Sequence, residues 1–245
     1  MRGMILAAGF GTRLQPLTHT TPKALVPVAG RPLIEYSLLF LRAHGITEVV
    51  INLHHLGEAI RATLGDGQRY GMQIFYSPED PILEAGGGIK NAQSLLADDT
   101  FVVLNCDTIL DLNLHAVLAF HRQHRAMVTL VLRPDANVEQ YGVLETNAQG
   151  QIRRIRDHTL AIEEARSRYI FTGLQILEPR IFDFMPEVKP FSTTRETYPR
   201  MMHAGEALYG FVHTGAWLVV DDEAGRQHAT QVLASGQVKL SYLQP

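Results

Sequence analysis

The chain has 245 residues, of which 46% are hydrophobic and 19% charged, and its formal net charge is -3 at pH 7. This size can bury a substantial core as one domain, and the slight negative charge argues against nucleic-acid and anionic-membrane partners. A single cysteine excludes an internal disulfide, no apolar run could span a bilayer, and no signal-peptide pattern follows Met1. These features predict a globular cytoplasmic protein and leave its oligomeric state open.

The first predicted element is a buried strand, the apolar run from Met4 to Ala8. Gly9 and Gly11 follow it and let backbone N–H groups approach an anion closely. Arg13 and Lys23 then offer the two usual ways of holding phosphate. The segment lacks the Gly-Lys-Ser/Thr of a P-loop and the third glycine of a dinucleotide site. It predicts a polyphosphate ligand; the alternative is a tight turn with solvated basic residues.

Apolar runs then alternate with helical patterns as far as Pro134. The pattern predicts helices over 32–43, 57–64, 89–96 and 114–123, and strands over 49–53, 74–76, 101–104 and 127–132. This alternation is typical of βαβ units, so we predict an α/β, Rossmann-like fold with a mostly parallel sheet flanked by helices. Ligands of such sheets bind beyond the carboxyl ends of the strands, where the glycine-rich segment falls.

The pattern changes after Pro134. It predicts a hairpin over 141–146 and 151–156, strands over 168–177 and 208–213, and a closing helix over 222–234. We interpret residues 1–245 as a single domain with two halves: 1–134, which contains the predicted phosphate-binding segment, and a small α+β half, 135–245.

The glycine-rich segment resembles the nucleotide-sugar pyrophosphorylases, which join a nucleoside triphosphate to a sugar 1-phosphate. The resemblance lies in an ordered set of residues: Gly9, Gly11, Thr12, Arg13, Pro16, Pro22, Lys23 and Pro27. Within the family the chain looks most like short bacterial enzymes that use UTP with N-acetylmuramate 1-phosphate, or GTP with mannose or heptose 1-phosphates. The resemblance implies a Mg²⁺-dependent transferase of nucleotide-sugar biosynthesis.

The resemblance also implies roles for particular residues. Arg13 and Lys23 would be the catalytic residues that hold the phosphates. The implied nucleotide-binding residues are Leu6, Ala7, Ala8, Gly9, Gly11, Thr12, Glu84, Gly87 and Asn105. The implied sugar-binding residues are Gly142, Asp157 and Thr172. The resemblance thus implies that 1–134 is the nucleotide-binding half and 135–245 the sugar-binding half.

The segment from Leu83 to Ile89 carries three consecutive glycines before the next predicted helix. The family recognises its base through the corresponding loop, whereas on its own the segment also fits a flexible turn. The Glu84 carboxylate accepts hydrogen bonds, which suits uracil or guanine better than adenine. We favour UTP slightly over GTP.

Asp107 belongs to the segment Asn105-Cys106-Asp107 that directly follows the predicted strand 101–104. A carboxylate at the end of a buried strand is costly unless it is paired or bound to metal. It corresponds to an acidic metal ligand of the family, so we predict that it binds Mg²⁺; the alternative is a turn cap. The neighbouring Cys106 is interpreted as a small apolar residue rather than a nucleophile.

Two positions depart from the family pattern. Val219 stands where the second metal-binding aspartate is expected, and valine cannot bind Mg²⁺. Asp221, two residues later, either caps the last helix, which we favour, or serves as a displaced metal ligand. His158 replaces a lysine that faces the sugar phosphate. These departures leave open a non-catalytic nucleotide-sugar-binding homologue, and a non-sugar cytidylyltransferase on the same fold is a third possibility.

Overall fold

The computed structural model describes residues 1–136, 138–160 and 167–243. The strands are β1 (Gly3–Leu6), β2 (Pro27–Val28), β3 (Arg31–Pro32), β4 (Glu48–Leu53), β5 (Gln73–Pro78), β6 (Phe101–Asn105), β7 (Thr108–Leu110), β8 (Val128–Arg133), β9 (Leu144–Thr146), β10 (Ile152–Ile155), β11 (His158–Thr159), β12 (Ser167–Leu177), β13 (Leu208–Val212) and β14 (Trp217–Val219). The helices are α1 (Leu33–Ala43), α2 (Gly57–Leu64), α3 (Glu84–Asn91), α4 (Gln93–Leu96), α5 (Leu114–Gln123), α6 (Val138–Tyr141), α7 (Tyr198–His203) and α8 (Glu223–Ala234). In the part of the chain that is described, no helix has the length and apolar character needed to cross a membrane.

The chain forms two compact units. The first unit comprises Met1–Ile82, Leu104–Leu112 and Gly215–Pro245, and the second comprises Leu83–Val103 and Asn113–Thr214. The units interleave chain segments, whereas the halves 1–134 and 135–245 follow chain order. The assignment of nucleotide and sugar to those halves stays a prediction.

The first unit contains three adjacent parallel strands in the order β1, β4, β5. Leu6, the last residue of β1, lies opposite Asn52 of β4, which in turn lies opposite Ser77 of β5. The middle strand is mainly apolar and is buried except at its first residue, Glu48, as expected of a parallel strand covered on both faces. The predicted α/β class with parallel strands is therefore confirmed.

A second core of the first unit supports the antiparallel pair β7 and β14. Leu218 and Val220 pack there with Ile109 and with apolar residues of α1 and α8, such as Leu33 and Val232. These two strands were not predicted as a pair, and each has only three residues. Their pairing fixes the position of the residues that follow them.

The second unit is built on β8, which pairs antiparallel with β12 and parallel with β13. The other end of β12 pairs antiparallel with β9, and β9 pairs with β10. The predicted hairpin is confirmed with shorter strands, because residues 138–141 form α6 instead of extending β9.

Helix α3 begins at Glu84, five residues earlier than predicted, and contains the three glycines. The backbone N–H groups of Gly86 and Gly87 both donate to the carbonyl oxygen of Phe191, at 2.9 and 3.2 Å. A Cβ on Gly87 would lie 2.2 Å from the carbonyl oxygen of Lys189. The glycines are therefore required by close packing of a distant segment against the helix, and not only by a turn.

This packing predicts that alanine destabilises the protein at one glycine and leaves its stability unchanged at another. Gly87→Ala should lower the free energy of unfolding by about 1–3 kcal/mol, because the backbone of Lys189 must move. Gly9→Ala is the matched control: a Cβ there meets no atom within 4 Å, so stability should change by less than about 0.5 kcal/mol. Urea denaturation of both variants tests this. Equal stabilities of the two variants would contradict it.

Candidate functional site

The glycine-rich segment leaves the sheet directly after β1 and forms a compact loop. Gly11 has φ of 63°, a left-handed conformation that favours glycine. Its carbonyl oxygen accepts hydrogen bonds from the backbone N–H of Leu14 at 2.9 Å and from the Thr18 hydroxyl at 2.8 Å. A short 3-10 turn, Thr12–Leu14, follows. The loop is thus held in one conformation by its own polar groups.

Four charged side chains of the first unit converge beside this loop. The Lys23 ammonium donates to Asp107 Oδ2 at 2.7 Å and to Asp221 Oδ1 at 2.8 Å. The Arg13 guanidinium lies 3.0 Å from the other Asp221 oxygen. The Lys23 side chain is only 11% exposed, whereas that of Arg13 is 68% exposed. A buried ammonium therefore bridges two carboxylates, and a solvated guanidinium flanks them.

Backbone pairing explains why Asp221 reaches this cluster. Val219 of β14 lies opposite Thr108 of β7, and the N–H of the next residue, Val220, donates to the carbonyl oxygen of Asp107 at 2.9 Å. The chain then turns, so Asp221 lies beside Asp107. The preferred interpretation of Asp221 as a helix cap is therefore wrong.

The cap of α8 is the following residue. The Asp222 side chain accepts the backbone N–H of Gly225 at 2.8 Å and so satisfies a free donor of the first turn. A Cβ on Gly225 would lie 2.5 Å from the carbonyl oxygen of Val219. Asp222, and not Asp221, is therefore the N-cap of α8.

Burial and charge shift the pKa values of this cluster in different directions. Burial raises the pKa of Asp107, with a further contribution from the charge of Asp221, and Lys23 offsets this only in part. Burial also opposes ionisation of Asp221, but its pKa lies below the ordinary value because Lys23 and Arg13 stabilise the carboxylate. Burial lowers the pKa of Lys23, yet its two carboxylate partners raise it above the usual value.

The thiol of Cys106 does not take part in this cluster as a nucleophile. The residue is 6% exposed, and burial together with the Asp107 charge raises the pKa of the thiol to about 12. A thiol with so high a pKa is not ionised at neutral pH. The sequence interpretation of Cys106 as a small apolar residue agrees with this environment.

A pocket of about 160 Å³ in the first unit contains these groups. Its lining residues are Leu6, Ala7, Gly9, Gly11, Thr12, Arg13, Lys23, Cys106, Asp107 and Asp221. The structure thus brings together most of the implied nucleotide-binding residues of this unit with both implied catalytic residues. Two implied nucleotide-binding residues of this unit, Ala8 and Asn105, are not among the lining residues. Ala8 is 5% exposed, and Asn105 is the last residue of β6.

The implied base-recognition residues belong to the second unit. Glu84 has φ of 57°, which is uncommon for a residue other than glycine, and its carboxylate lies 2.7 Å from the Arg195 guanidinium. Arg195 was not singled out from the sequence, because it is 111 residues away. Gly87 is buried against Lys189, as described above. The role of both residues toward a base stays a prediction.

The implied sugar-binding residues also lie in the second unit. Gly142 has φ of 91°, and a Cβ there would lie 2.8 Å from the Arg156 guanidinium. Asp157 is exposed in the turn that joins β10 and β11. Thr172 is 1% exposed, and its hydroxyl donates to the carbonyl oxygen of Val131 at 2.8 Å. These contacts place Thr172 inside the sheet, and its role toward a sugar stays a prediction.

Sequence reasoning missed two buried polar residues beneath the glycine loop, Asn52 and Glu79. The Asn52 amide accepts the backbone N–H of Ala7 and donates to Glu79. The signal was present, because an asparagine within the apolar run from Val49 to Leu53 is unusual in a buried strand.

The described residues contain no group of three or more histidine, cysteine or acidic side chains arranged to hold a metal ion. The site instead offers two carboxylates, those of Asp107 and Asp221. Their oxygens already converge on one cation, the Lys23 ammonium, and carboxylate oxygens are the ligands that Mg²⁺ prefers. This donor set fits a divalent cation that also takes ligands from phosphate.

The comparisons with known proteins agree with this geometry. The family model described as nucleotidyl transferase matches residues 2–220, and the chain belongs to that family. It is 34% identical, over 98% of its length, to a UTP–glucose-1-phosphate uridylyltransferase of Synechocystis sp.. It is 36% identical, over 90% of its length, to an N-acetylmuramate alpha-1-phosphate uridylyltransferase of Neisseria meningitidis, and 33% identical, over 87%, to a mannose-1-phosphate guanylyltransferase of Mycobacterium tuberculosis.

The chain differs from these relatives in length. It spans 65% of the Synechocystis protein and 59% of the Mycobacterium protein, but 93% of the Neisseria protein. A Bacillus anthracis crystal structure, described as that of a candidate glucose-1-phosphate thymidylyltransferase with sucrose, matches with a TM-score of 0.83. It is 22% identical, and the match covers 99% of this chain and 98% of that one. The match confirms the predicted fold.

The charge cluster predicts how the pKa values of the two carboxyl groups and the stability change when Lys23, the cation they share, is removed. Lys23→Met should raise the pKa of both Asp107 and Asp221, because each carboxylate loses a cation and faces the other's charge. Carboxyl ¹³C NMR titration measures both values. Unfolding free energy at pH 7 should fall by about 1–3 kcal/mol, less than for a fully buried pair, since the carboxylates are partly exposed.

The sign of the pH effect follows from Asp221. Its folded pKa is depressed, so its ion pairs add stability at neutral pH, and this contribution is lost as the pH falls from about 4 through the folded pKa. In Lys23→Met, the free energy of unfolding should therefore fall less than in the wild type as the pH is lowered below about 4. Arg180→Met is the matched control, because it removes an exposed guanidinium that is paired with a single carboxylate, Glu206. An unchanged pKa of Asp221 in Lys23→Met would contradict the cluster.

Proposed function

We propose that this protein is a nucleotidyltransferase that joins a nucleoside triphosphate to a sugar 1-phosphate and releases pyrophosphate. The observation that carries the proposal is the convergence of Lys23 and Arg13 with Asp107 and Asp221 beside the glycine loop. A loop that lacks Cβ atoms at Gly9 and Gly11 suits phosphate, and the two cations suit a reaction that moves negative charge between phosphates. Family membership supports the same conclusion.

The reaction needs positioning and charge neutralisation rather than covalent help from the protein. A sugar phosphate oxygen attacks the α-phosphorus in line, the bond from that phosphorus to the bridging oxygen breaks, and pyrophosphate leaves with the electron pair. Arg13, whose side chain is 68% exposed, would hold the departing phosphates. Lys23 would neutralise the α-phosphate and the sugar phosphate. The backbone N–H groups of the loop would orient the chain of phosphates.

Mg²⁺ is the proposed cofactor, and Asp107 and Asp221 are the residues that would hold it. Bound there, it would supply electrostatic stabilisation of the charge that develops on the phosphate oxygens. Val219, which occupies the expected ligand position, leaves the family pattern incomplete, but the turn after β14 supplies Asp221 as a second carboxylate in its place.

The proposed nucleotide is UTP, in slight preference to GTP. The relatives include proteins named as uridylyltransferases and proteins named as guanylyltransferases, and the preference for UTP rests on the Synechocystis and Neisseria proteins. The Neisseria protein has almost the same length as this chain, which favours N-acetylmuramate 1-phosphate among sugar substrates. We accordingly propose a cytoplasmic role in making nucleotide sugars for the cell wall.

A second candidate is a non-catalytic homologue that binds nucleotide sugars. Val219 in the expected metal-ligand position and the exposed His158 in place of a lysine favour it. A product nucleotide sugar does not require cations for a departing pyrophosphate, so the paired Arg13 and Lys23 favour the enzyme.

The proposal predicts pyrophosphate release with Mg²⁺ from one combination of nucleotide and sugar 1-phosphate. The test is a panel of UTP, GTP, CTP and dTTP against N-acetylmuramate, N-acetylglucosamine, glucose, mannose and heptose 1-phosphates, with phosphocholine as a further acceptor. Arg13→Ala and Lys23→Ala should each lower turnover by about 10² or more. No turnover in any combination, with nucleotide sugars still bound in calorimetry without Mg²⁺, would establish the non-catalytic candidate.

Base choice generates a separate prediction. Glu84→Ala should narrow the difference in kcat/KM between the preferred nucleotide, UTP or GTP, and ATP by about tenfold, because the carboxylate that accepts base N–H groups is gone. Arg195→Met is the matched variant, since it removes the ion pair but keeps the carboxylate. An unchanged preference in Glu84→Ala would exclude Glu84 as the residue that selects the base.

A further inference from the structure

Three polar groups form a hydrogen-bonded chain beneath the start of the glycine loop. Asn52 is 2% exposed and Glu79 is 5% exposed. The Asn52 side-chain oxygen accepts the backbone N–H of Ala7 at 2.7 Å, and its amide nitrogen donates to Glu79 Oε1 at 2.7 Å. All three residues belong to the first unit. Buried polar residues at the end of apolar strands require a structural or functional reason.

The hydrogen bond from the Ala7 N–H to the Asn52 side chain replaces a backbone hydrogen bond of the sheet. The pairing of β1 with β4 ends at Leu6, which lies opposite Asn52. The N–H of the next residue, Ala7, is taken by the Asn52 side chain. A buried N–H without an acceptor is costly. Because the Asn52 side chain accepts the Ala7 N–H, the backbone can leave the sheet directly after Leu6.

Glu79 holds the nitrogen end of the Asn52 amide. A backbone N–H only donates hydrogen bonds, whereas an asparagine amide has a donor end and an acceptor end. Asn52 therefore turns its oxygen to Ala7 and its nitrogen to Glu79. Without an acceptor at position 79, the buried amide nitrogen loses its partner and the Asn52 side chain is no longer held in place. Glu79 is itself held by its backbone N–H, which donates to the carbonyl oxygen of Leu53 at 2.8 Å.

We propose that Asn52 and Glu79 are positioning residues that fix Ala7 and thereby aim the glycine loop at the phosphates of the nucleotide. The proposal rests on the proposed function for its ligand. Neither residue is among the described residues that line the pocket, whereas Ala7 and Gly9 are. Both residues act through the backbone, and the N–H of Ala7 is committed to Asn52, so the amides after it are the ones that face the ligand.

The first test variants are Asn52→Leu and Glu79→Leu. Each should weaken binding of UTP, the probe in calorimetry, by about tenfold or more. In turnover, KM for the nucleotide should rise by a similar factor, while kcat and KM for the sugar 1-phosphate stay within about threefold of the wild type. Glu79→Gln should stay within about threefold in all parameters, because its amide oxygen can still accept from Asn52.

Amide hydrogen exchange, followed by NMR, gives a readout that needs no ligand. The N–H of Ala7 should exchange slowly in the wild type and in Glu79→Gln, and at least about tenfold faster in both leucine variants. Gln175→Leu is the control for loss of a buried amide: this residue is 1% exposed and lies in the second unit. It should leave nucleotide affinity and Ala7 exchange unchanged even if it lowers the melting temperature.

The outcomes separate this proposal from the proposed function. Slow exchange at Ala7 that is lost together with nucleotide affinity in both leucine variants supports it. Fast exchange in the wild type, or wild-type nucleotide affinity in Asn52→Leu and Glu79→Leu, overturns it. If the wild type binds none of the four nucleotides while Ala7 exchange still responds to both variants, the proposed function fails and the anchoring of the loop stands.

Discussion

The site depends on one ammonium group shared by two carboxylates. Lys23 is almost fully buried, and a buried charge is tolerated only when it is paired and hydrogen-bonded. Asp107 and Asp221 would repel each other without it. Each of the three charged groups therefore offsets the free-energy cost of burying the other two. The glycine loop and Arg13 are arranged around them. This mutual dependence explains why the cluster has a defined geometry at the edge of a solvent-accessible pocket.

The position of these charges is set by apolar packing and backbone pairing. Val220 is fully buried, and its N–H is bound to the carbonyl oxygen of Asp107. Because β14 ends at Val219 and the chain turns immediately, the carboxylate two residues later reaches the same cation. The register of two three-residue strands thus decides whether the substitution at Val219 removes a second carboxylate from the site, and here it does not.

The sequence predicts what depends on local pattern. β4 is apolar apart from Glu48 and Asn52, and the helix 114–123 has its expected bounds as α5. The start of α3 could not be predicted, because the N–H groups of its glycines bind Phe191, about a hundred residues away in the chain. Asn52 and Glu79 are likewise 27 residues apart. The candidate site was predicted at the glycine loop, whereas its pairing geometry depends on long-range contacts that no local pattern contains.

The charges of the pocket also constrain how a triphosphate can be bound. Lys23 and Arg13 contribute two positive charges, Asp107 and Asp221 two negative ones, so the four formal charges sum to zero. Phosphates entering this pocket must compete with the carboxylates for both cations. Under the proposed function, a divalent cation on the carboxylates would take over their neutralisation and release Lys23 and Arg13 to the phosphates. Under that function, the same ion pairs that stabilise the site would make its affinity for nucleotide depend on a further cation.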